Sequence, residues 1–98
     1  MKFNEIPEAF GTRLRLHIIA SLLHKTLDFK TLREITGATD GNLSAQLIKL
    51  EEMEYITIEK KFVDRRPQTT YTITEKAFNE YKEFATLLVY QMANKESQ

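Results

Sequence analysis

Apolar residues recur at helical spacing through the first half of the chain, and the pattern switches to alternation near residue 55. Leu14, Ile18 and Leu22, with Ile19 and Leu23 beside them, lay one apolar face on a first helix that Thr12 caps and that runs to about His24. Asp28 caps a second, short helix carrying Phe29, Leu32 and Ile35. Gly37 ends it, because glycine enters the left-handed conformation at little cost. Thr39 starts a third helix almost at once, with Asp40 suited to the positive end of its dipole, so these two helices form a helix-turn-helix hairpin over about 28–53. Leu43, Leu47 and Leu50 make the inward row of the third helix, and Asn42, Gln46 and Lys49 recur at the same spacing on a neighbouring face.

From Tyr55 onward, Ile56, Ile58 and Phe62 face one way and Thr57 and Glu59 the other. Alternation resumes in Thr69-Thr70-Tyr71-Thr72-Ile73 after the segment Asp64-Arg65-Arg66-Pro67, which predicts a β-hairpin over about 55–73 with a charged connection. Pro67 has no amide donor and belongs at the loop or at a strand edge. Thr74 and Glu75 open a last helix over about 75–94. In it Phe78, Tyr81, Ala85, Leu88 and Met92 follow three- and four-residue steps, with Phe84 and Leu87 beside them. That is more apolar surface than one packing face needs.

The polar stripe of the third helix suits the major groove of duplex DNA. Asn and Gln amides pair with adenine, and a lysine contacts guanine or phosphate, so Asn42, Gln46 and Lys49 are candidate readers. Gly41 and Ser44 would let the start of the helix approach the phosphate backbone. Arg65 and Arg66 at the hairpin tip suit a minor groove or a phosphate pair, Thr31 and Arg33 suit phosphates, and alternation turns only one of Lys60 and Lys61 toward a given side. Any amphipathic helix also has a polar outside and most charged loops are simply solvated, so pattern alone leaves both readings open.

The run Thr39-Asp40-Gly41-Asn42-Leu43-Ser44-Ala45-Gln46-Leu47-Ile48-Lys49-Leu50, followed by Arg65-Arg66-Pro67-Gln68-Thr69-Thr70-Tyr71, carries a resemblance. With Thr12-Arg13-Leu14-Arg15-Leu16 and Asp28-Phe29-Lys30-Thr31-Leu32 preceding it in order, the chain resembles small stand-alone winged-helix transcriptional regulators related to the ArsR and MarR groups. The resemblance implies a mainly α chain with a small β-hairpin (α+β): a winged helix-turn-helix with a C-terminal dimerisation helix. The length of 98 residues predicts one domain, 1–98. It implies a sequence-specific regulator that binds double-stranded DNA as a homodimer. The implied DNA contacts are Thr39, Gly41, Asn42, Ser44, Gln46, Lys49, Arg65 and Arg66. The implied dimer contacts are Phe78, Tyr81, Ala85, Leu88 and Met92. Glu54 stands where the family usually has a glycine, and Asp64 and Gln68 stand where glycine and a basic residue are common. These departures subtract flexibility or positive charge from the wing. The alternative is a winged helix that docks proteins through its apolar last helix, without specific DNA binding.

Charge and composition refine this picture. Fourteen Lys and Arg balance fourteen Asp and Glu in 98 residues, which speaks against indiscriminate polyanion binding. Lys60, Lys61, Arg65 and Arg66 nevertheless cluster in the hairpin, while Glu75, Glu80, Glu83 and Glu96 lie in the C-terminal segment and Glu51, Glu52 and Glu54 just beyond the polar stripe. The absence of cysteine excludes disulfides, thiolate metal sites and thiol redox sensing. His17 and His24 would share a helix face, but neither cysteine nor a carboxylate cluster completes a metal-ligand set around them. No activated nucleophile or glycine-rich phosphate loop is visible, so neither an enzyme nor a cofactor is expected. The charged N-terminal segment contains no long apolar run, so neither a membrane segment nor a signal peptide is expected, and the cytoplasm is the expected location. Any small-molecule effector is left open, with a cleft between the first and last helices of a dimer as its natural place.

Overall fold

A computed structural model describes residues 1–94, so Glu96 lies outside the described residues. Two short 3-10 turns, Phe3–Glu5 and Glu8–Phe10, precede helix α1, Arg13–Ser21. Thr12 caps α1 by accepting a hydrogen bond from the Arg15 amide at 3.2 Å. The helix ends sooner than expected: Leu22 closes it, and the chain then turns so that Leu27–Asp28 forms a short strand, β1. That strand is absent from the sequence reading because two residues are too few for an alternation signal. Its pairing is with a distant segment.

Helix α2, Phe29–Thr36, begins at Asp28, whose carboxylate accepts from the Thr31 amide at 2.8 Å, and ends at Gly37 with φ 69°. Helix α3, Asp40–Glu52, begins at Thr39, whose hydroxyl oxygen accepts from the Asn42 amide at 3.2 Å. At its end the Glu54 amide donates to the Glu51 carbonyl and the Tyr55 amide to the Leu50 carbonyl, both at 2.9 Å, with Glu54 at φ 62°. This is a Schellman ending, with the buried Leu50 and Tyr55 as its apolar pair.

Strands β2, Ile56–Val63, and β3, Arg66–Ile73, pair antiparallel from Ile56↔Ile73 to Val63↔Arg66. Strand β1 pairs with the other side of β3 through Leu27↔Tyr71 and Asp28↔Thr70, giving the order β1-β3-β2. The connection between β2 and β3 is only Asp64-Arg65, so Arg66 and Pro67 belong to the strand rather than to the loop. Both turn residues have positive φ, 52° and 65°, as a two-residue hairpin of type I′ requires. In such a hairpin the pair next to the turn is hydrogen-bonded and the following one, Phe62↔Pro67, is not, so Pro67 turns its missing donor away from β2. Phe62 shares the face of the buried Ile56 but lies beyond the core, and it is 77% exposed rather than buried.

Ile18, Ile19, Leu22, Leu32, Leu43, Leu47, Leu50, Tyr55, Ile56 and Tyr71 form the core, to which the N-terminal segment adds Ala9 and Phe10. Phe10 stacks on Phe84 at 5.1 Å between ring centroids and meets Tyr55 and Tyr81 edge-on at 5.7 and 5.9 Å. This aromatic group fastens helix α4, Glu75–Ala93, to the rest. The radius of gyration is 15.3 Å. A globular domain of this size has about 13 Å. The longest dimension, 59 Å, is more than twice the other two, consistent with a helix and a wing that project. The described residues thus fold as four helices and a small antiparallel sheet, the α+β winged helix-turn-helix that the resemblance implied.

Candidate nucleic-acid interface

Helix α3 buries Leu43, Leu47 and Leu50 and leaves most of the rest of its circumference exposed. Gly41, Asn42, Ser44, Ala45, Ile48 and Lys49 are exposed. The side chains of Asn42, Ser44 and Lys49 make no hydrogen bond or ion pair within the described residues. A Cβ placed on Gly41 would meet nothing within 4 Å, so this position leaves the first turn of the helix open to a close approach. Thr39 is exposed, and since its oxygen accepts from Asn42, its hydroxyl proton remains available to an outside acceptor.

Gln46 differs from its neighbours on the stripe. It is half-buried, and its Oε1 accepts from Arg15 Nη1 at 2.9 Å. Arg33 is also engaged, in an ion pair with Asp40 Oδ1 at 3.1 Å that staples α2 to the start of α3. Thr31 sits in the cap of α2. Hydrogen bonds from the Thr31 side chain and then its amide hold the Asp28 carboxyl below its ordinary pKa.

The wing carries Arg65 in its turn and Arg66 at the first position of β3, both exposed and unpaired within the described residues. Lys61 lies 3.8 Å from Glu59, whereas Lys60 is on the opposite face and unpaired. A polar cleft of about 690 Å³ separates the wing tip from the start of α2, with Lys30, Arg66 and Gln68 on its walls.

The beginning of α4 is tied to the end of α3. The Thr74 hydroxyl donates to the Glu54 carbonyl at 2.8 Å, the Thr74 amide to the Tyr55 carbonyl at 3.0 Å, and Lys76 Nζ to the Met53 carbonyl at 3.0 Å. Tyr55 hydrogen-bonds Glu80, and burial, followed by that contact, raises the phenol's pKa. Along α4, Ala77, Tyr81, Phe84 and Leu87 turn inward, so Tyr81 belongs to the aromatic group around Phe10. Phe78, Ala85, Leu88 and Met92 are exposed together with Val89, which the periodicity missed. Met92 is 85% exposed. Phe78 also meets the His24 ring edge-on at 6.3 Å. Among the described residues no three His, Cys, Asp or Glu side chains converge, and no helix is long and apolar enough to cross a membrane. A cleft of about 690 Å³ runs between Met1, Lys2 and Phe3 and the outer half of α4 rather than along α1.

Comparison with known proteins places this architecture. A family model described as a winged helix DNA-binding domain matches residues 14–89, from the second residue of α1 into the last turns of α4. The chain belongs to this winged helix family. An uncharacterized protein of Methanocaldococcus jannaschii is 33% identical over 76 residues, covering 76% of this chain and 83% of the relative. Among solved structures, a transcriptional regulator homologue from Pyrococcus horikoshii OT3 superposes with a TM-score of 0.80 at 28% identity, covering 88% of this chain and 86% of the other. A protein of Enterococcus faecalis V583 described as a MarR-family transcriptional regulator gives a TM-score of 0.80 at 20% identity, covering 92% and 82%, and shares the fold. These winged-helix structures are described as transcriptional regulators, not as enzymes. The match spans the helix-turn-helix and the wing together, which are the elements that carry the candidate contacts.

One residue that bears on the candidate site, Arg15, escaped the sequence reading. Arg15 continues the inward row of Ile18, Ile19 and Leu22 one turn toward the N-terminus, so it stands at a core position of α1. The signal was present in the spacing. Leu14, which shares a four-residue step with Ile18, offered an apolar substitute that hid it.

Proposed function

We propose that this chain is a sequence-specific, double-stranded-DNA-binding transcriptional regulator that acts as a homodimer. Helix α3 enters the major groove with Asn42, Gln46 and Lys49 toward base edges and phosphates, and Thr39, Gly41 and Ser44 toward the backbone. Arg65 and Arg66 reach the flanking backbone or minor groove. What carries the reading is the exposed side of α3: on a capped helix anchored by three leucines, the Asn42 amide, the Ser44 hydroxyl and the Lys49 ammonium make no bond within the described residues. Family membership and the solved regulators of the same fold support it.

The exposed apolar row Phe78, Ala85, Leu88, Val89 and Met92 supports pairing of α4 with a second copy. Pairing also answers an energetic need. One small module buries only about 600–1,000 Å² on DNA, and a dimer reads two half-sites roughly 34–36 Å apart. Selection from a randomised duplex library at near-physiological salt tests the proposal. Retained sequences should share two related half-sites, and enrichment should fall when Asn42, Lys49 or Arg66 is changed to alanine. Folded protein that enriches no motif would overturn it in favour of a protein-docking winged helix.

A further inference from the structure

Helix α3 is tied to the first helix by a cation without a counter-ion. Arg15 is 5% exposed; its Nη1 donates to Gln46 Oε1 and its Nη2 to the Glu8 carbonyl, each at 2.9 Å, and its Nε has no partner. Among the described residues no carboxylate pairs with it. A buried guanidinium in this state is costly, and a methionine would continue the apolar row of α1 without that cost. The position therefore asks what the guanidinium does there.

Its chemistry fixes the orientation of the Gln46 amide. Guanidinium has five donors and no acceptor, so the amide atom facing Arg15 is the oxygen. The nitrogen, Nε2, then points elsewhere. It makes no hydrogen bond within the described residues and is not among their buried unpartnered atoms, so it reaches solvent. They lie on the stripe that carries Asn42 and Lys49. Bidentate recognition of adenine needs the oxygen and the nitrogen of one amide together, the first to accept from N6 and the second to donate to N7. Arg15 takes one lone pair of that oxygen and turns it toward α1, so Gln46 presents its N–H donors foremost on the outer side.

We propose that Arg15 is a positioning residue that sets base specificity: it holds the Gln46 amide with its donors outward, so that α3 favours an acceptor edge, guanine O6 and N7 or thymine O4, at that base pair over adenine, whose N6 is a donor. The inference rests on the DNA-reading function proposed above.

The test applies the library selection to the full chain and to R15M and Q46E, with thermal melting of each. For the wild type, one position in each half-site should be guanine or thymine. In R15M the freed amide should move that position toward adenine by about tenfold, leaving the rest of the motif in place. Q46E keeps an oxygen on Arg15 but presents an acceptor, and should move the same position toward cytosine by a similar factor. Q46E also supplies the missing countercharge, so its melting temperature should rise by about 4–8 °C, with no rise in an R15M background. A wild-type motif with adenine at the position that Q46E alters, or a base preference there unmoved by R15M, overturns this inference and leaves DNA reading intact. If R15M fails to fold, Q46E decides by both readouts: a move to cytosine with the higher melting point supports the lock, and anything less overturns it. No motif from any folded variant overturns the DNA reading itself and this inference with it.

Discussion

Glu54 occupies a left-handed backbone position at which an L side chain costs about 1 kcal/mol. The sequence raised this as a question, since glycine is usual there, and the φ of 62° answers it: the helix ends in the ordinary Schellman way and the strain is accepted. Glu54→Gly should therefore stabilise the fold by about 1 kcal/mol, read as a higher melting temperature in a thermal scan. Its side chain makes no hydrogen bond or ion pair within the described residues that the change would remove. Asp28 gives a prediction with the opposite sign. Its cap lowers the folded-state pKa, so its contribution is full above the ordinary carboxylate value and is lost as pH falls through the depressed one. Asp28→Ala should cost about 1 kcal/mol at neutral pH, and the gap between variant and wild type should close in acid, as denaturant titrations at several pH values will show. The caps themselves were legible, because Thr12, Asp28, Thr39 and Thr74 each act on an amide three residues away. Arg15 was not, because the partners that make it important come from distant segments, Glu8 and Gln46.

At the scale of elements, the wing is the clearest case of strain at a candidate site. A type I′ turn prefers glycine at its second central residue, yet Arg65 holds that position at φ 65°. Arg65→Gly should relax the hairpin by about 1 kcal/mol and weaken DNA binding, with the dependence of log affinity on log salt shallower by about 1. Melting and fluorescence anisotropy at several salt concentrations measure the two effects. A variant that gains stability with no loss of affinity would place Arg65 outside the interface. Alternation gave the strands of the wing but not the length of its turn, because Arg66 and Pro67 look like loop residues until their partners Val63 and Phe62 are known.

For the whole molecule, the decisive feature is a terminal helix with two apolar sides. One side meets Phe10 and the core; the other, with Leu88, Val89 and Met92, is open. Val89→Glu should leave the monomer fold intact, since Val89 is exposed, and should move the sedimenting mass from twice 11.5 kDa to 11.5 kDa. Affinity for a two-half-site duplex should fall by more than tenfold while binding to a single half-site changes little. A wild-type chain that sediments at 11.5 kDa at micromolar concentration would remove the dimer from the proposal.

Local sequence signals were enough for the four α-helices, the two strands of the wing and the outward face of α3. These follow from capping residues, from leucine spacing and from the change of period near Tyr55, all of which act over a few residues. The tertiary structure decided what depends on remote pairing: that β1 exists because Tyr71 and Thr70 meet it, that Tyr81 turns inward because Phe10 is there, and that Gln46 offers one side of its amide because Arg15 holds the other. Local periodicity states which face a residue occupies; only the packed chain states what stands opposite it.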